Sequence, residues 1–160
     1  AMEDVLGLQS LRRDLAALPP RDQILAIDLR GRDPDDGFSD VPYEKGRLFL
    51  GWLEARVGRD ALESFLRGYF DAFAFRSVTT EQFLDHLERE LLAARPGVVS
   101  RAELDAWVHA PGLPDFAVLP QSEAFAPIDA ARAAFVAGRL AAADLPAQAW
   151  TPFEWLHFLD

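Results

Sequence analysis

Tyr43 is the side chain in this 160-residue chain whose position most suggests chemistry. The segment Asp33-Pro34-Asp35-Asp36-Gly37-Phe38-Ser39-Asp40-Val41-Pro42-Tyr43-Glu44-Lys45-Gly46 sets an aspartate-rich turn directly before a helix start. Asp40 or Val41 is placed to cap that helix, Pro42 is preset for its first turn, and Glu44 suits the positive end of the helix dipole. Tyr43 then lies beside N–H groups that lack intrahelical partners. A phenol in such a place can donate a hydrogen bond to a developing oxyanion. It can equally be a half-buried tyrosine that anchors a loop, and the residues alone leave both readings open.

Other chemistries find less support. The chain has no cysteine, which removes disulfides and thiolate chemistry and fits a reducing, cytoplasmic setting. No Gly-x-Ser-x-Gly elbow and no phosphate-binding glycine loop occur. His86, His109 and His157 each fall alone on a predicted helix. His86 and Glu90 are four apart, a spacing that could hold a metal. However, His86-Leu87-Glu88-Arg89-Glu90 is not His-Glu-x-x-His, no third ligand is in view, and the pair reads as a solvated helix face. A net charge of −10 opposes nucleic-acid binding and reads as solubility. Fifteen of the 16 basic residues are arginine, and Lys45 is the single lysine. No apolar run is long enough to span a membrane. The start, Ala1-Met2-Glu3, has no signal-peptide pattern, and Ala1 reads as a cloning scar.

The elements that must position Tyr43 are helical. Val5, Leu8, Leu11, Leu15 and Leu18 form one stripe, ended by Pro19-Pro20. Leu62, Phe65, Leu66, Tyr69, Phe70 and Phe73 give a broad face expected to be buried, and Phe83, Leu84, Leu87 and Leu91 give another. Thr79 with Gln82, Ser100 with Glu103, and Thr151 with Glu154 read as capping boxes. Residues 19–41 read as a long loop, with one short extended segment at Ile24–Leu29 as an option. Residues 110–122, with Pro111, Gly112, Pro114 and Pro120, read as a linker. The helix opened at Thr151 has run about two turns when the chain stops at Asp160, as expected of a truncated piece or of a short terminal helix. The expected class is all-α.

Val41-Pro42-Tyr43-Glu44-Lys45-Gly46 resembles the Val-Pro-Tyr-Glu-Lys-Gly motif of leukotriene-hydrolase-type zinc aminopeptidases, a branch of the gluzincins that includes aminopeptidase N. Asp33-Pro34-Asp35 is similar to the family's loop before that motif. Phe75–Phe83 resembles its Ser-x-Thr-Thr helix start, and Trp107–Pro114 its Trp-x-x-x-Pro-Gly-Leu-Pro segment. The likeness covers residues 5–115 well and the tail more loosely, with three matching segments in the same order. It implies the end of a thermolysin-like catalytic domain over 1–110, a linker over 111–122, and the first helices of a superhelical domain over 123–160.

The resemblance assigns Tyr43 the oxyanion role in removing N-terminal residues from peptides. It places Ile27, Leu29 and Pro34 at the wall of the substrate pocket. Asp35 aligns with an aspartate that helps open an epoxide in the leukotriene hydrolase, and Phe38 replaces a second pocket tyrosine, which argues against lipid-epoxide activity here. The family's zinc sits on His-Glu-x-x-His plus a later glutamate, all N-terminal to the tyrosine motif, and none of these is in this chain. Zinc is therefore expected in the intact parent and not in this chain, which alone should be inactive. The expected partners are a peptide substrate and the missing N-terminal half of the catalytic domain. Some of the rings among Phe49, Trp52, Phe65, Phe70 and Phe73 are expected to have packed on that half, which would favour self-association of the piece. The rival expectation is a stand-alone, zinc-free helical interaction module.

Overall fold

A computed structural model describes residues 2–160, and no strand occurs among them. The helices are α1 Met2–Ala17, α2 Gly46–Val57, α3 Arg59–Ala72, α4 Thr80–Leu87, α5 Arg101–Val108, α6 Ala126–Val136 and α7 Pro152–Leu159. Single π-helical turns precede α2 at Val41–Lys45 and extend α4 at Glu88–Leu92. The chain divides into two compact units. The larger is Asp14–Val118, and the smaller joins Leu119–Asp160 to the first helix up to Arg13.

Local sequence explains most helix starts. At Thr79, Ser100 and Thr151 the hydroxyl accepts from the N–H three residues on, while the Gln82, Glu103 or Glu154 side chain returns to the cap N–H at 3.0, 2.8 and 2.7 Å. Gly58 ends α2 and begins α3 in one residue, with φ +85°, a conformation that a side chain would strain. The chain can therefore reverse without a loop, which lays α3 beside α2.

The core of the larger unit is aromatic. Trp107 of α5 is fully buried and lies 6.0 Å, ring to ring, from both Phe49 and Trp52 of α2. Phe83 of α4 approaches Phe49 at 6.4 Å and Phe65 of α3 at 6.3 Å. Leu53, Leu84, Leu87, Leu91 and Leu104 complete this core. Of the five rings from which some were expected to face a missing half, Phe49, Trp52 and Phe65 are covered within the unit itself. On α3 the expected broad buried face is narrower: Leu62 and Phe65 are buried, Leu66 and Tyr69 are half-buried, and Phe70 is exposed. The extended option at Ile24–Leu29 forms no strand; the Ala26 N–H donates to the distant Val108 carbonyl at 3.1 Å, and the Leu29 carbonyl accepts locally from the Arg32 N–H at 3.1 Å.

The smaller unit buries Phe125, Ile128 and Phe158 against Met2, Val5, Leu6, Leu145 and Trp150. His157 stacks on Phe125 at 4.0 Å and bridges Gln9 and Asp129 at 3.0 and 2.8 Å. Arg13 pairs with Asp160.

Burial outweighs capping in this architecture. Trp107→Ala should cost about 3–5 kcal/mol, because its atoms are replaced by a cavity. Ser100→Ala, which starts the same α5 helix, should cost only about 1 kcal/mol. Urea unfolding of both variants checks the order.

Candidate functional site

The turn that carries Tyr43 is π-helical, so five residues occupy one wide turn. Val41 and Lys45 point inward and are buried, while Pro42 is exposed and Tyr43 is 65% exposed. The turn is held from both ends. The Asp40 N–H donates to Asp14 Oδ2 at 2.6 Å and the Glu44 N–H to the Asp40 carbonyl at 2.8 Å, while the Tyr43 carbonyl accepts from the Gly46 N–H. Asp40 occupies the cap position, but with helical φ and ψ and without a side-chain capping bond. Glu44 pairs with Arg47 at 3.0 Å. The expected capped α-start is therefore a π turn anchored by Asp14, a residue too distant in sequence for local rules to find. The Tyr43 hydroxyl hydrogen-bonds to no described residue.

Lys45 fixes the inner side. It is fully buried, and its Nζ donates to the Gln23 carbonyl at 2.9 Å and the Ala110 carbonyl at 2.7 Å. No carboxylate accompanies it, and burial pushes its pKa down to about 8. Gln23 in turn donates its side-chain N–H groups to the Leu15 and Leu18 carbonyls at 3.0 and 2.7 Å, closing the end of α1. One amine thus joins the tyrosine turn to the loop after α1 and to the end of α5. Sequence reading missed it and noted only that the lysine is single. The available signal was its spacing: Lys45 is four residues from Val41, on the apolar side of the turn.

The loop between α1 and the turn carries the other expected site residues. Ile27 and Leu29 are half-buried, Pro34 and Asp35 are exposed, and Phe38 is 84% exposed. Leu29 packs on Gly37 so closely that a Cβ there would lie 2.8 Å from its Cδ1. Asp33 caps the short turn Pro34–Gly37 by accepting from the Asp35 N–H at 3.0 Å. Arg32 grips the buried Asp22 with two bonds, at 2.5 and 3.0 Å, and these hold the Asp22 carboxyl below its ordinary pKa. These contacts bring Leu29 together with the 34–38 turn, and none of them reaches the Tyr43 ring.

Of the pair read as a solvated face, Glu90 is exposed but His86 is not. His86 is 6% exposed and lies 5.2–5.8 Å from the rings of Phe65, Tyr69 and Phe73. It falls three residues after Phe83, on the packed stripe, where an imidazole serves as an aromatic body. Its Nδ1 faces Arg89 at 3.1 Å, and Arg89 also binds Glu90 at 2.7 Å. A guanidinium between the two possible ligands opposes a cation. Among the described residues no group of three or more histidine or acidic side chains is gathered that could hold a metal ion. The residues present therefore do not fit zinc.

The buried amine makes stability depend on pH, with a definite sign. Its folded pKa of about 8 lies below the ordinary 10.5. Between these values the unfolded chain binds a proton that the folded chain does not, so stability rises with pH across the window. At about 1.36 kcal/mol per pKa unit the full effect is on the order of 3 kcal/mol. Urea unfolding should show the parent gaining on Lys45→Met from pH 8 upward, and a constant difference would contradict the burial.

Comparison with known proteins adds family membership to this geometry. The Peptidase family M1 domain matches residues 11–107. Leucine aminopeptidase 2-1 of Meyerozyma guilliermondii is 35% identical over 114 residues, which cover 69% of this chain and 18% of that protein. Human aminopeptidase B is 34% identical over 139 residues, covering 81% of this chain and 21% of its own length. The structure of yeast LTA4 hydrolase in complex with bestatin superposes with a TM-score of 0.76 at 28% identity, over 99% of this chain and 27% of that one. The match spans between 15% and 21% of the length of the curated relatives. No helix among the described residues is long and apolar enough to cross a membrane. With the family model matching more than half of its length, from within α1 to Trp107, the chain belongs to peptidase family M1.

Proposed function

We propose that this chain is the tyrosine-bearing part of an aminopeptidase, and that in the intact protein Tyr43 donates its phenolic hydrogen to the oxygen of the scissile carbonyl of a peptide's N-terminal residue. The observation that carries this reading is an exposed phenol on a turn whose neighbours at 41 and 45 are fully buried. A donor held in place before reaction needs no reorganisation when charge develops on the oxygen, which is the condition for strong oxyanion stabilisation. The zinc implied by the resemblance would be held by residues outside this chain.

The adjacent loop supplies the wall. Ile27 and Leu29 would offer an apolar surface to the substrate's first side chain, with Pro34, Asp35 and Phe38 at the rim. Leu29 is braced by Gly37, and the loop base is braced by the Arg32–Asp22 pair. Phe38 offers no hydroxyl, which favours peptide substrates over lipid epoxides.

Tyr43→Phe in the full-length protein tests the reading. The substitution keeps the ring and removes only the donor. If the hydroxyl meets the oxyanion in the transition state, kcat should fall about 10²–10³-fold with KM and melting temperature nearly unchanged. Turnover within about threefold of the parent would remove Tyr43 from the site, since a lost oxyanion donor costs far more.

A further inference from the structure

We propose that Lys45 is a positioning residue for Tyr43: by holding the carbonyls of Gln23 and Ala110, it fixes the turn from which the phenol projects and registers that turn against the pocket-wall loop. This rests on the reading of Tyr43 as the reacting phenol. Tyr43 is two residues from Lys45 within one π turn, so the backbone between them is short and closed by the Gly46 N–H bond to the Tyr43 carbonyl. The Lys45 side chain links that turn to the loop base at Gln23 and to the chain just after α5 at Ala110. Residue 23 leads directly into the segment carrying Ile27 and Leu29, and that segment is tied again at Ala26 to Val108. The amine therefore sets the phenol and the pocket wall in one frame, with α5 as its base.

The partner atoms also explain why lysine, and not arginine, stands here. Two carbonyls at 2.9 and 2.7 Å suit a small amine, which can rotate its N–H groups onto both. A guanidinium would bring five donors in a rigid fork to two acceptors. In a chain with 15 arginines this position takes the only lysine.

The composition permits a direct test on this chain. It has one lysine, no cysteine and two tyrosines, Tyr43 and Tyr69. Lys45→Cys introduces the single thiol, and aminoethylation of the unfolded chain followed by refolding rebuilds a near-copy of the lysine side chain. Ring carbon signals of labelled tyrosine report both rings, with Tyr43→Phe giving the assignment. Tyr69, packed against Phe65, Phe73, Phe83 and His86, reports folding.

The expected result is that Lys45→Cys shifts and broadens the Tyr43 signal, leaves Tyr69 in place, and regains the parent Tyr43 signal after aminoethylation. Lys45→Met should reproduce the unrescued state. A Tyr43 signal unchanged in folded Lys45→Cys and Lys45→Met would overturn the proposal. So would loss of the Tyr69 signal position in both variants, since the lysine would then serve the fold as a whole. Neither readout involves turnover, so this test can fail while the catalytic reading of Tyr43 stands, and the reverse.

Discussion

An amine buried with only main-chain carbonyls for partners is the constraint on which the site depends. Removing a charge from water is costly, and no carboxylate offsets it at Lys45. The compromise is two short bonds to backbone oxygen, with burial lowering the pKa of the amine. Those bonds survive loss of the proton, because a neutral amine keeps two N–H donors for two acceptors. The clamp is thus insensitive to its own ionisation, although the stability of the fold is not. Both carbonyls also gain a donor from a fully buried side chain, and a buried carbonyl left without one would be destabilising.

The outward side of the same turn follows from the inward side. With positions 41 and 45 held in the core, the π geometry turns Pro42 and Tyr43 towards solvent. The loop that precedes the turn is long, yet it is pinned at intervals: Gln23 at α1, Ala26 at α5, Arg32 on Asp22, Asp33 at its own short turn, and Leu29 on Gly37. Exposed residues on a pinned loop form a usable surface, because little order remains to be created when a ligand arrives. The aromatic core of α2 to α5 holds the helix that follows the turn, through Phe49 and Trp52 packed on Trp107.

What the sequence disclosed, and what it hid, divide by range. The three capping boxes were legible because each is a contact between residues three apart. The all-helical class and the end of α1 were legible from apolar spacing and paired prolines. The π turns were not, since no local pattern distinguishes a five-residue turn from an α-start, and Asp14 anchors one of them from 26 residues away. His86 was misread because histidine was counted as polar when its spacing from Phe83 placed it on the packed face. Lys45 was noted only as the single lysine, whereas its position, four residues from Val41, placed it in the core. For the candidate site, the segment could be located from its residues, while the amine that holds it required the fold.

The state of that amine decides whether the tyrosine turn is clamped, and a single lysine makes it directly observable. Titration of the Lys45 side-chain carbon signal by NMR should give one midpoint near 8, well below the ordinary 10.5, with the fold intact on both sides of it. A midpoint at the ordinary lysine value would mean a solvated ammonium, and the clamp that organises the tyrosine turn would not exist.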